Sequence, residues 1–258
     1  MFSLNGRRAV VIGGTSGIGR AIALALADAG ADVVASTRSE DAVNAAAREI
    51  EARGRKTMRE TVNILDRSSV DELERRVTEY LGPVDILVNS AGMTKRIATL
   101  DCPEDLWDQI MDINLKGTLF GCQAFGRGMI DRGYGKIINI ASLSTYVAFH
   151  EVTPYGASKA AVGALTKSLA VEWAEKGVCV NAIAPGIIPT ALNRSILETP
   201  RGKELLVRTP MERFGTPEEM GGAAVYLASE ESDFVTGEIL AVDGGFLASG
   251  VNTGGIYE

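Results

Sequence analysis

Histidine is nearly missing: His150 stands alone in 258 residues. A Ser-His-Asp site would hang on that one residue, and a zinc centre of the usual His/Cys type lacks its ligands. Cysteine is scarce as well. Cys102, Cys122 and Cys179 lie far apart, form no CxxC pair and are odd in number. That pattern fits a reducing compartment, and the three read as small buried hydrophobes. No apolar run approaches the roughly 18 residues of a membrane span. The opening Met1-Phe2-Ser3-Leu4-Asn5-Gly6 has no apolar core of signal-peptide length, so a cytoplasmic protein is expected. Positive charge is in deficit, with 26 Lys and Arg against 33 Asp and Glu, which argues against a nucleic-acid partner. Linkers, repeats and low-complexity stretches are lacking too, so one domain over 1–258 is expected.

Glycine is abundant, at 29 residues, which suggests many tight turns or close approaches of backbone to ligand. Short apolar runs alternate with longer amphipathic segments, the pattern of βαβ units. The expected strands are Arg7–Ile12, Asp32–Ser36, Lys56–Val62, Val84–Asn89, Lys136–Ile140, Val178–Ile183 and Ile239–Val242. Helices are expected over Gly17–Ala29, Asp41–Glu51, Ser69–Tyr80, within Pro103–Gln123, over Tyr155–Lys176 and from Thr216. The fold class this predicts is α/β: a single doubly wound, Rossmann-type parallel sheet with helices on both faces.

Two features carry chemistry. The first strand runs straight into Gly13-Gly14-Thr15-Ser16-Gly17-Ile18-Gly19. A Gly-rich turn between a strand and a helix start lets backbone N–H groups approach a pyrophosphate, and the helix N-terminus favours its charge. Second, Tyr155 and Lys159 are spaced i, i+4 at the start of a predicted helix, on one face. A free tyrosine, with a pKa near 10, exchanges protons poorly at neutral pH; lowering it by about three units needs about 4 kcal/mol. One ammonium about 4 Å away supplies about that much at an effective dielectric of about 20. Ser142 closes the fifth expected strand and can donate to a substrate oxygen.

The motifs together resemble the short-chain dehydrogenase/reductase family, over essentially the whole chain. Gly13, Gly17, Ile18 and Gly19 match its TGxxxGIG turn, Asn89-Ser90-Ala91-Gly92 resembles its NNAG, and Pro185-Gly186-Ile187-Ile188-Pro189-Thr190 resembles its PGxxxT segment. Asn114, Ser142, Tyr155 and Lys159 match its catalytic tetrad. Ile12, Ser90 and Asn63 depart from the pattern, standing where the family has Thr, Asn and an adenine-binding Asp. The resemblance implies Tyr155 as general acid/base, Lys159 as the group that lowers its pKa and binds ribose, and Ser142 as the group that polarises the substrate oxygen. Asn114 would help hold Lys159 through a water. Hydride would pass directly between nicotinamide and carbon, with no metal. The implied cofactor contacts are Gly13, Thr15, Ser16, Gly17, Ile18, Gly19, Thr37, Arg38, Asn63, Ile64, Asn89, Ala91, Gly92, Tyr155, Lys159, Pro185, Gly186, Ile188 and Thr190. A homotetramer is implied as well.

The end of the second strand reads Ser36-Thr37-Arg38, without the acid that would bind the ribose of NAD. Arg38 can pair with a 2′-phosphate, so NADP(H) is expected, with NAD(H) as the alternative. Within the family, Ser90–Arg96, Arg208–Met211 and Gly244–Gly250 resemble the gluconate 5-dehydrogenase group. The expected substrate is a sugar acid such as gluconate or 5-ketogluconate, held by Ser142, Tyr155 and, at its carboxylate, Arg96, with a substrate loop at about 188–215. A 3-oxoacyl-carrier-protein reductase is the rival reading within the family. A non-catalytic cofactor-binding sensor or scaffold is the rival from another class, and the complete tetrad argues against it.

Overall fold

The computed structural model describes residues 2–190 and 199–250. Six parallel strands form one sheet, in the order β2-β1-β3-β4-β5-β6. They are β1 (Arg8–Ile12), β2 (Asp32–Ser36), β3 (Ile86–Asn89), β4 (Gly135–Ile140), β5 (Val178–Pro185) and β6 (Ile239–Val242). Most are runs of Val, Ile and Ala buried on both faces, as a helix-covered parallel sheet requires. Alternation along β1 shows the two sides. Ala9 and Val11 face a core with Ile22, Leu26, Ala46, Ile50, Ala224 and Leu227. Val10 and Ile12 face a second core with Val70, Leu73, Phe125, Met129, Leu169 and Trp173. Helices α1 (Gly17–Asp28), α2 (Glu40–Glu51) and α8 (Glu219–Ala228) supply the first core; α3 (Arg67–Leu81), α5 (Gly117–Arg132) and α6 (Thr153–Trp173) supply the second. The short helices α4 (Glu104–Met111) and α7 (Pro200–Val207) lie outside both clusters.

Two expectations are corrected. The segment Lys56–Val62 is not a strand, so the sheet has six strands rather than seven. Only its ends dock along the edge of β2, through Val33 N–H to the Lys56 carbonyl at 3.1 Å and Val62 N–H to the Thr37 carbonyl at 3.0 Å. Between them, side chains take over: the Ser36 hydroxyl donates to the Glu60 carbonyl at 2.6 Å. Competition from side chains breaks a regular ladder. The second correction is the helix expected within Pro103–Gln123. It is split: α4 passes into a π-turn over Asp112–Lys116 before α5 begins at Gly117. A π-bulge inserts one extra residue into a helix and is frequent at functional sites; this one contains Asn114.

β1 connects to β2 on one side, and the chain then returns to place β3 on β1's other side. The strand order therefore reverses between β1 and β3, and a crevice opens there at the carboxyl ends of the strands.

Candidate active site

A cleft of about 680 Å³ occupies that crevice. The glycine turn lines it at the end of β1. Gly13 has φ +80°, and a Cβ there would sit 2.5 Å from the Ala91 backbone nitrogen, so only glycine lets the two loops touch. Ser16 caps α1 without a side-chain hydrogen bond, and the first turn of α1 carries no acid. The helix thus leaves its first N–H groups open to an anion in the cleft. Among the described residues that line the cleft, three are cationic, Arg38, Lys159 and Arg201, and none is acidic. An open helix start, a glycine cradle and a wall without an acid among the described residues fit a dinucleotide with its phosphates.

Most of the residues expected from sequence line this cleft. Gly13, Thr15, Ser16, Gly17, Ile18 and Gly19 do so at the turn, and Thr37, Arg38, Asn63 and Ile64 beyond β2. Ala91 and Gly92 follow β3; Pro185 ends β5, and Gly186, Ile188 and Thr190 follow it. The Asn63 Oδ1 accepts from its own loop, from Leu65 N–H at 3.2 Å.

Ser142, Tyr155 and Lys159 converge on the middle of the cleft. Ser142 sits in extended backbone just past β4, where its Oγ also accepts from Ser144 N–H at 3.1 Å. Tyr155 and Lys159 stand in the first two turns of α6, and both line the cleft. Lys159 is buried, and its Nζ donates to the Ile140 carbonyl at 2.6 Å. With no acid beside it, burial pulls its pKa down from 10.5 to about 8. Burial pushes the Tyr155 phenol above 10, and a hydrogen bond from Ser142 works against that rise. The expected drop driven by Lys159 is not found: its Nζ lies 5.9 Å from the ring centroid and points at the strand carbonyl.

Asn114 and Asn89 are both held by hydrogen bonds within the protein. Asn114 is fully buried and clamps the backbone after β3: its Oδ1 accepts from Met93 N–H at 2.8 Å and its Nδ2 donates to the Met93 carbonyl at 2.9 Å. It also donates to Ser158 Oγ at 2.9 Å. A Cβ on Gly92 would lie 3.3 Å from Asn114 Oδ1 and 3.7 Å from Lys159 Nζ, so the two side chains flank that glycine. Asn89 lies below the cleft and not on its wall. Its Nδ2 donates to Asn139 Oδ1 at 2.9 Å, and Asn139 donates to Thr166 Oγ1 at 3.0 Å, a buried polar tie between β3, β4 and α6.

The comparison with known proteins agrees with this geometry. Residues 13–247 match the family model described as enoyl-(acyl carrier protein) reductase. A 2-dehydro-3-deoxy-D-gluconate 5-dehydrogenase of Bacillus subtilis is 43% identical, over 96% of this chain and 97% of its own length. The chain belongs to the short-chain dehydrogenase/reductase family. The gluconate 5-dehydrogenase of Gluconobacter oxydans is 38% identical, over 96% of this chain and 98% of its own. The crystal structure of a gluconate 5-dehydrogenase from Burkholderia cenocepacia, in complex with NADP and tartrate, superposes with a TM-score of 0.93 at 38% identity. It covers 96% of this chain and 98% of that one.

For a short-chain dehydrogenase/reductase the far end of the cleft is the less regular one. It is lined by Met93, Gln109, Phe149, Val152, Arg201 and Leu205; of these, Arg201 and Leu205 fall in the substrate loop expected from sequence, and the other four were not expected as site residues. Of the substrate loop expected at 188–215, Ile188, Thr190, Arg201 and Leu205 reach the cleft, while 191–198 lie outside the described residues. Arg96 does not line the cleft. Its Nε donates to Glu151 Oε2 at 2.5 Å on the outer rim. A carboxylate from the chain itself takes the place expected for the substrate's.

Proposed function

We propose that this enzyme catalyses the reversible oxidation of a secondary alcohol of a sugar acid to the ketone, with NADP(H) as its preferred partner. Gluconate and 5-ketogluconate are the substrate pair this reading favours. The observation that carries it is the meeting of Ser142, Tyr155 and Lys159 in a cleft without a single lining carboxylate among the described residues. Anions are welcome at both ends of such a cleft, and a proton donor stands between them.

The residues divide the work. Ser142 donates a hydrogen bond to the substrate oxygen and holds it against the Tyr155 phenol. In reduction Tyr155 gives its proton to that oxygen; in oxidation it takes the proton back. The nicotinamide, when bound, supplies or receives the hydride. Lys159 Nζ, held on the Ile140 carbonyl, offers its remaining hydrogens to the cleft, where a cofactor hydroxyl can accept them. Asn114 acts at one remove by fixing the Met93 backbone and the loop beside Gly92. Gly13–Gly19 and the start of α1 would cradle the pyrophosphate, and exposed Arg38, beyond β2, would face a 2′-phosphate.

A panel of sugar acids, neutral sugars, polyols and a 3-oxoacyl thioester, run with both cofactors, tests the reading. Sugar acids with NADP(H) should give the highest kcat/KM. Preferential reduction of the thioester would replace this reading with the carrier-protein reductase one, and cofactor binding without turnover on any carbonyl would point to a sensor. We further propose a cytoplasmic homotetramer in which α6 packs across an interface, since Val171 on that helix is left exposed. Light scattering of the purified protein checks the assembly. No helix among the described residues is long and apolar enough to cross a membrane.

A further inference from the structure

We infer that Arg201 is the specificity-determining residue that receives the substrate's carboxylate. Resting on the sugar-acid reading above, the inference names the group that distinguishes an acid from a neutral sugar. Three cations line the cleft, and their places differ. Arg38 stands beyond β2, at the end away from the reacting groups. Lys159 stands among the reacting groups, turned toward the Ile140 carbonyl. Arg201 belongs to the substrate end, on the second residue of α7, in the same wall as Leu205.

The state of its guanidinium matters most. Arg201 forms no ion pair among the described residues, and its one hydrogen bond runs from Nη2 to the His150 carbonyl at 2.9 Å. That bond fixes the fork without consuming its charge, and Nε and Nη1 keep their hydrogens for a ligand. A half-held, uncompensated guanidinium at the wall of a cleft that no acid lines among the described residues is what a carboxylate needs, since the planar fork can bind both oxygens at once. The strut that holds it is itself braced. His150 precedes Glu151, which has φ +62°, a left-handed conformation that is uncommon for a residue with a side chain. The Glu151 carbonyl accepts from Ile97 N–H at 2.8 Å, and its carboxylate pairs with Arg96. Arg96, the residue that sequence spacing suggested as the anchor, is thus spent on bracing the rim that positions Arg201.

Reach is consistent with the assignment. Arg201, Phe149, Val152 and Tyr155 line one continuous cavity, so a short sugar chain with its reacting carbon at Tyr155 can extend its carboxylate toward α7. The neutral end of a polyol would gain nothing there.

The test uses the full-length enzyme with NADP(H) and three variants, Arg201→Ala, Arg201→Lys and Arg96→Ala. Each is assayed on gluconate and on the matching neutral sugar alcohol, and calorimetry with tartrate as a non-reacting carboxylate probe is run beside it. Arg201→Ala should lower kcat/KM for the acid by about ten- to a hundredfold, the value of a charge-assisted hydrogen bond. The loss should fall on KM, with the neutral substrate unaffected. Tartrate affinity should drop in step, and Arg201→Lys should restore part of both. An unchanged acid-over-neutral ratio, or unchanged tartrate affinity, in Arg201→Ala overturns the anchor. If tartrate binding depends on Arg201 while the wild-type enzyme does not turn over sugar acids, the anchor stands and the substrate reading above fails.

Discussion

The two ends of the cleft are built by different rules. The cofactor end is made of strand termini and the turns that follow them: Gly13–Gly19 after β1, Thr37 and Arg38 after β2, Ala91 and Gly92 after β3, Pro185 at the end of β5 and Gly186 after it. Each residue there is fixed by backbone that the sheet already orders. The substrate end is assembled from a rim loop, the π-turn helix pair and a short helix, and its contacts join residues far apart in sequence, such as Arg201 with His150 and Arg96 with Glu151. The first end can serve any member of the family; the second must be specific, so its geometry is written in long-range contacts. Tyr155 and Ser142 stand at the seam.

The largest effect should come at that seam. Tyr155→Phe keeps the ring in its pocket and removes the proton donor. Turnover should fall by about a thousandfold, within the range of general acid–base catalysis, while cofactor affinity measured by fluorescence titration stays nearly unchanged. A variant that kept a tenth or more of normal turnover would move the acid/base function to another group.

Legibility followed the same division. The cofactor end was readable because a strand, a Gly-rich turn and a helix start make a local pattern, and because the family resemblance implied the remaining contacts; those positions line the cleft, Asn89 excepted. Asn89 failed because being next to a motif does not decide which way a strand residue faces; it turns inward to Asn139. Lys56–Val62 read as a strand because Val62 and its neighbours have the right residue types, yet the edge of β2 offers partners only at the two ends. The π-turn left no mark in the helical periodicity. Arg201 fell inside the expected substrate loop, but nothing local singled it out from its neighbours, since its hydrogen bond runs to the His150 carbonyl, 51 positions away. Arg96 looked free for want of any sign that Glu151 would reach it.

Lys159 gives a test of the buried seam by pH. Burial lowers its pKa to about 8 from 10.5. Between those values the unfolded chain holds a proton that the folded one has released. Folding stability should therefore rise with pH across that window, by up to about 3 kcal/mol, and the gain should be lost as pH falls through about 8. Urea unfolding of the wild type and of Lys159→Met over the window measures the difference. A difference that stayed flat with pH would show that the ammonium is well solvated in the fold. The Tyr155 phenol, pushed up by burial, adds a kinetic counterpart. Alcohol oxidation needs it deprotonated and should quicken from neutral toward alkaline pH, whereas ketone reduction, which needs the proton, should not.

At the cofactor end, Arg38→Ala should cost about tenfold in kcat/KM for NADP(H), since an exposed guanidinium–phosphate contact is worth less than a buried one. Use of NAD(H) should be unchanged or improved. The comparison of both cofactors on one substrate decides it, and equal losses with both would mean that Arg38 supports the loop rather than reading the phosphate.

Arg96→Ala should have the smallest effect, and it bears most directly on the contrast between the two ends. If Arg96 anchored substrate, its removal would erase acid selectivity. The structure places it outside the cleft wall, about half exposed, with its charge already met by Glu151. Ion pairs of that exposure contribute about 0–1 kcal/mol to stability, so thermal unfolding should shift little. What the pair does is brace Glu151 and, through it, the His150 carbonyl that holds Arg201. The main-chain bond from Ile97 N–H to the Glu151 carbonyl remains when the pair is cut. The rim should therefore loosen without opening, and KM for the acid should rise by about threefold or less, with kcat unchanged. Glu151→Gln, which also cuts the pair but leaves Arg96 free to bind, separates bracing from anchoring. Bracing predicts the same small loss in both variants, whereas an anchoring Arg96 would bind the acid more tightly once Glu151 no longer competes for it.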